Sequence, residues 1–169
     1  MAVGSLLLLC VVTSWPWDAQ TKPIAFVCNK PVREALNIVS WMESELLACE
    51  GLATLPQAVQ LPCTALHAAS WENKSLQQKR GDLVASLRIL NEGVESVSAL
   101  SQTPCATSVL QKLLQNIGNY LLILTHLHLS GAEESPVLSC VPRSTRSMST
   151  VLQTYSRLSL ANWSASWTT

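Results

Sequence analysis

The residues of this 169-residue chain most able to do chemistry are its six cysteines: Cys10, Cys28, Cys49, Cys63, Cys105 and Cys140. Thiols can hold a metal, relay electrons or close disulfides. No two of these sit at the C-x-x-C spacing of zinc sites and thioredoxin-like centres, so cross-linking is the chemistry that remains. Cross-links persist in an oxidising compartment, and the start of the chain predicts one. Residues 1–19 read as a secretory leader, with an apolar run from Leu6 to Val12, then Pro16 and a cleavage position near Ala19. That run is far shorter than the roughly 20 apolar residues a span requires, and no later segment is both long and charge-free enough to cross, so no membrane insertion is expected once the leader is removed. Cleavage takes Cys10 away. Cys28, Cys49, Cys63, Cys105 and Cys140 are then left, an odd set in which one thiol stays over or pairs between molecules.

The other reactive types form no catalytic arrangement. The sequence has no G-x-S-x-G, H-E-x-x-H, Walker loop or dinucleotide fingerprint. His126 and His128 are two apart on a helical stretch and point in different directions. His67 and the loop pair Glu133-Glu134 have no evident partner. Neither an enzyme, a metal centre nor a cofactor is predicted. Asn73-Lys74-Ser75 and Asn162-Trp163-Ser164 are N-glycosylation acceptors. Sugar would suit the composition, since only 13% of residues are charged, about half the roughly 25% of ordinary soluble domains. The formal net charge is zero and no Lys/Arg run exceeds two, so a nucleic-acid partner is excluded.

Four amphipathic stretches must position these residues. Asn29-Lys30-Pro31 supplies an N-cap and a first-turn proline. Val32, Leu36, Val39, Met42, Leu46 and Leu47 then recur at helical steps, and Gly51 marks the stop. This first helix is expected over about 30–49. Ser75 and Gln78 fit a capping box for a second helix over about 75–100, whose buried stripe is Leu83, Leu87, Leu90, Val94 and Val97. Gly93 interrupts that stripe and reads as a point of close helix packing. Thr103-Pro104 opens a third helix, about 104–129, with the widest apolar face. Met148, Val151, Leu152, Tyr155 and Leu158 define a fourth, about 147–160, after which the period is lost.

The connections are long, short and long. A short turn permits only an antiparallel neighbour, whereas a crossover of about twenty residues lets the chain return and start a parallel helix. The expected fold is all-α, an up-up-down-down long-chain four-helix bundle with two long crossover loops, spanning residues 28–169. Leu55, Val59, Leu61 and Leu66 suggest that the first crossover packs along the bundle. Cys49 closes the first helix and Cys105 opens the third. A bridge between them would stabilise by about 4 kcal/mol in the chain-entropy model.

Several of these segments carry a resemblance. Trp71-x-x-Lys74, Gln77-Gln78, Asp82-Leu83 and Leu87-x-x-Leu90-x-x-Gly93-Val94 resemble the second helix of the erythropoietin/thrombopoietin family of cytokines. Thr103-Pro104-Cys105 before a Leu-rich helix resembles the thrombopoietin branch, where a cysteine at this point pairs with one ending the first helix; Cys49 and Cys105 match those positions. Cys28 matches the family's N-terminal cysteine, and Tyr155-Ser156-Arg157-Leu158 the start of its last-helix signature. The likeness covers roughly residues 28–158. Two departures stand out. Ser159-Leu160-Ala161-Asn162 replaces a basic Leu-Arg-Gly-Lys stretch, and the cysteine that pairs with the family's N-terminal one is missing. Cys28 is then either the odd thiol or a partner of Cys140, with Cys63–Cys140 the pairing favoured between the two crossovers.

The resemblance implies a secreted, monomeric, haematopoietic cytokine of megakaryocyte and platelet production, which dimerises a single-span receptor through two faces of the bundle. Lys30, Arg33, Glu34, Arg146 and Arg157 are the expected contacts on the outer faces of the first and last helices. An erythropoietin-like hormone is the nearest alternative. An apolar-ligand carrier, or a non-signalling variant with an abnormal last helix, are alternatives of other kinds.

Overall fold

The computed structural model describes residues 26–63, 66, 69–129, 141 and 143–163. Asn29 accepts the Val32 N–H on its side chain and starts α1, Lys30–Leu36. A second helix, α2, follows over Val39–Ala48. The expected single helix is therefore broken at Asn37-Ile38. Asn37 causes the break: its Oδ1 accepts from Val39 N at 3.0 Å, while its Nδ2 donates to Ser156 and Ser159 Oγ at 3.3 and 3.2 Å. The break resets the helical phase. Val39 and Met42 are buried as expected, but Val32 is 40% and Leu47 91% exposed. Gly51, with φ +86°, turns the chain out of α2 in the left-handed region that favours glycine.

The first long connection contains β1, Thr54–Leu61, and a short turn of helix, α3, Ala69–Glu72. Ser75 and Gln78 form the expected capping box, each side chain bonding the other's backbone N–H, and α4 runs over Leu76–Leu100. After only Ser101, Gln102 and Thr103, the cap Thr103 and Pro104 start α5, Pro104–Thr125. The second connection ends in β2, Arg143–Ser147, and Ser147 caps α6, Met148–Ser159. The chain is mostly helical, and its helix boundaries lie near those expected.

The two long connections add a small two-stranded sheet that the all-α expectation did not include. β1 and β2 pair antiparallel, with Val59 opposite Thr145 and Leu61 opposite Arg143. The ladder is irregular between Thr54 and Val59, where Pro56 has no N–H to give. β1 lies on α4, and both strands border α6. Leu55 and Val59 are buried, as expected of a packed crossover.

The principal helix pairings are α4 with α5, α4 with α6, α2 with α6 and α2 with α5. They close a ring around one core cluster, in which Leu83, Leu87, Leu90, Leu113, Ile117, Leu124, Val151 and Leu152 are buried. Gly93 is a point of close packing, but against a strand rather than a helix. A Cβ there would lie 2.7 Å from Val59 Cγ1, and Val59 is itself fully buried. Gly93→Ala gains about 1 kcal/mol of helix propensity. It also overpacks a stiff β-branched neighbour, at about 1–3 kcal/mol. The expected net is a loss of about 1 kcal/mol in a denaturant melt, and the same substitution made in a Val59→Ala background should cost less, read against Val59→Ala alone; equal stability of Gly93→Ala and the wild type would contradict this contact.

Beyond α6 the helical period ends as expected, yet the segment is not idle. Ala161 and Trp163 are buried, and Trp163 Nε1 donates to the Tyr120 hydroxyl at 3.1 Å.

Candidate binding surface

α1, α2 and α6 meet along one edge, and an open hollow of about 400 Å³ lies between them. Glu34, Ser40 and Glu43 line one wall, and Gln153, Ser156 and Arg157 the other. The carboxylates and the guanidinium are exposed. Asn37 bridges the floor through its two hydroxyl partners on α6. The hollow offers charges of both signs, amides and hydroxyls on a broad surface, which suits docking of a polar protein face. Among the described residues, no group of three His, Cys, Asp or Glu is placed to hold a metal ion.

Of the five expected contacts, Lys30, Glu34 and Arg157 lie on this side. Lys30 and Glu34 are paired at 3.4 Å, one helical turn apart on exposed surface, a pair worth only a few tenths of a kcal/mol. Arg33 is corrected: it is 5% exposed and cannot meet a partner. Its guanidinium turns inward, donating to Ser159 O at 3.3 Å and Ala161 O at 2.8 Å. Burial pulls its pKa down, and Tyr120 beside it opposes that shift. Arg146 is also corrected. It stands on β2 rather than on the last helix, and donates to Pro56 O across the sheet.

A second exposed feature lies between α2 and α5. Lys112 Nζ sits 3.9 Å from the centroid of the Trp41 ring, and Trp41 is 38% exposed. The sequence signal for it was a tryptophan off the buried stripe of the first helix.

Asn73 and Asn162, the asparagines of the two Asn-x-Ser triplets, are brought to one end of the molecule. Asn73 is exposed in the turn before α4. Trp71, two residues earlier, is buried and donates its Nε1–H to Asn162 O at 3.0 Å. Lys74 and Lys79 place their ammonium groups 5.6 and 5.8 Å from the Trp71 centroid, and Lys74 pairs with Asp82. Burial pushes the Lys79 pKa down, partly offset by Glu72. These residues include Trp71, Lys74 and Asp82 of the matched second-helix segment, so that motif builds an end of the fold.

At the opposite end of α2, Cys49 and Cys105 form a disulfide, Cα to Cα 5.8 Å and 56 residues apart in sequence. Cys28 and Cys63 are disulfide-bonded as well. Cys28 is therefore not left over as the odd thiol in this structure. Cys140 lies outside the described residues, as do His67, Glu133 and Glu134. His126 is exposed, and its ring nitrogen contacts Leu122 O of its own helix at 2.8 Å. His128 is exposed too.

Among the described residues no helix is long and apolar enough to cross a membrane. No curated protein matches the chain. The family model described as Erythropoietin/thrombopoietin matches residues 25–160, a range that includes α1 to α6. With that match over most of its length, four core helices and a disulfide joining the first helical pair to α5, the chain belongs to the erythropoietin/thrombopoietin family of cytokines, which are receptor-binding proteins and not enzymes.

Proposed function

We propose that this chain is a secreted, thrombopoietin-like cytokine that acts as a monomer and brings together two copies of a single-span receptor. The observation that carries the reading is the exposed α1/α2–α6 edge, with Glu34, Glu43 and Arg157 around its hollow. Its charges lie in solvent, and the exposed Lys30–Glu34 pair is weak enough to exchange for a partner's charges. The Trp41–Lys112 stack between α2 and α5 supplies the second face, since tryptophan and cations are favoured interface anchors. The ring of helix pairings supports an up-up-down-down course: the helices joined by each long connection are not among its principal pairs. The antiparallel β1–β2 pair fits two crossovers running in opposite directions.

In this reading residues 1–19 are a leader and residues 28–169 the cytokine domain. Asn73 and Asn162 carry glycans at the end where Trp71 joins them. Cys140 pairs with Cys63 or with Cys28, both of which are disulfide-bonded. The apolar breadth of α5 serves the common core and not a carried ligand.

The test is titration of the secreted protein with ectodomains of thrombopoietin-type and erythropoietin-type receptors. Saturable binding to the first is expected. Arg157→Glu should weaken it about tenfold, as for an interfacial arginine, with the Tm unchanged because the side chain is exposed. Binding to neither ectodomain, or full affinity in Arg157→Glu, would overturn the assignment of this edge.

A further inference from the structure

Arg33 is a buried cation whose charge is received mainly by backbone carbonyls. Ser159 and Ala161, whose oxygens accept its hydrogen bonds, stand at the last residue of α6 and just past it. A helix leaves its final carbonyls without intrahelical donors, and its dipole concentrates partial negative charge there. Arg33 therefore caps α6 from a helix more than a hundred residues away in sequence. Asn37, one turn further along, adds its two bonds to Ser156 and Ser159. Tyr120 of α5 completes the arrangement. Its ring meets Phe26 edge-on, with centroids 6.0 Å apart, its hydroxyl accepts from Trp163 at 3.1 Å, and it lies close enough to feel the Arg33 charge. The segments before and after the four-helix core are thus gathered on one tyrosine.

We infer that Arg33 is the positioning residue of a latch that fixes α1 and the end of α6 relative to each other, and so shapes the edge proposed above to meet receptor. The inference rests on that functional reading for its consequence, though not for the latch itself. Arg33 is covered and cannot touch a partner. It acts through the placement of Glu34 beside it on α1 and of Ser156 and Arg157 on α6. Both bonds are donated by one nitrogen, Nη1, so the cap is a charge-assisted contact of a single guanidinium nitrogen with two carbonyls.

The test uses the full secreted chain with Arg33→Met, which keeps much of the apolar stem and removes both hydrogen bonds, and Arg33→Lys, which keeps the charge. Amide exchange at residues 30–37 and 157–161 should quicken about tenfold in Arg33→Met, with α4 and α5 at wild-type rates, as for local opening of one unit. Affinity for the receptor ectodomain should fall about tenfold in parallel. Arg33→Lys should recover part of both. Uniformly faster exchange across the molecule, or local opening with unchanged affinity, would overturn the positioning role. Should Arg33→Met fail to fold, Arg33→Lys decides: it must open the same two segments selectively and weaken binding, and wild-type exchange in it overturns the latch. If the wild type itself binds neither ectodomain, the receptor reading fails separately, and the exchange measurement alone decides the latch.

Discussion

Replacing Cys49 and Cys105 together with alanine is expected to cost about 4 kcal/mol of stability and lower the Tm by roughly 10 °C. The bond encloses β1, α3 and all of α4, a separation of 56 residues, so its loss frees a large loop in the unfolded ensemble. Cys49 is buried at 4% exposure, so truncation of its sulfur adds a small packing loss to the entropic one. The end of α2 is then held to the start of α5 only by side-chain contact. A thermal or denaturant melt under non-reducing conditions measures the effect. Reduction of the wild type is no substitute, because Cys28 and Cys63 are also disulfide-bonded. A double variant within about 1 kcal/mol of the wild type would contradict the account.

The second large effect lies where the sequence looks least ordered. Trp163→Ala is expected to cost about 3 kcal/mol, the low end for truncating a buried aromatic residue, because fraying of a terminal segment limits the loss. Trp163 is 4% exposed and its indole N–H is satisfied by Tyr120. Trp163→Phe keeps most of the apolar area and gives up the hydrogen bond, for about 1 kcal/mol. Trp41→Ala is the matched control. That ring is 38% exposed and stacks on Lys112, so its removal should cost under about 1 kcal/mol. Denaturant melts of the three variants give the comparison, and equal losses at positions 41 and 163 would contradict the burial assigned to Trp163.

How much was legible in the sequence depended on the range of the forces involved. α4 and α5 were readable because their determinants are local. Ser75 with Gln78, and Thr103 with Pro104, mark the starts, and the apolar stripe repeats without interruption by charge. The Cys49–Cys105 pair followed from the resemblance and is present. The break at Asn37 was invisible because Val32 to Leu47 keeps a helical spacing. The choice is made by hydroxyls of α6, over a hundred residues away, which reward Asn37 for leaving the helix. Arg33 was placed on the outside for the same reason: a charge is assigned to solvent unless its partners are known, and here they are carbonyls at the end of another helix. β2 reads Arg-Ser-Thr-Arg-Ser, with no apolar alternation, so the strand exists only because β1 is there to pair with it. Trp163 lies beyond the last periodic residue, and periodicity has nothing to say about a side chain that docks outside a helix.

The exposed edge was the more legible part of the candidate surface. Lys30, Glu34 and Arg157 are placed by simple amphipathicity, with the polar side of each helix outward. The hollow between them was not, since its shape depends on the Asn37 break and on the Arg33 cap.

The central claim is that two faces of this bundle each engage a receptor. Light scattering of the secreted protein mixed with excess ectodomain of a thrombopoietin-type receptor measures it most directly. The account predicts a complex with the mass of one cytokine and two ectodomains. A mixture that stays as separate components, or that saturates at one ectodomain per chain, would contradict it.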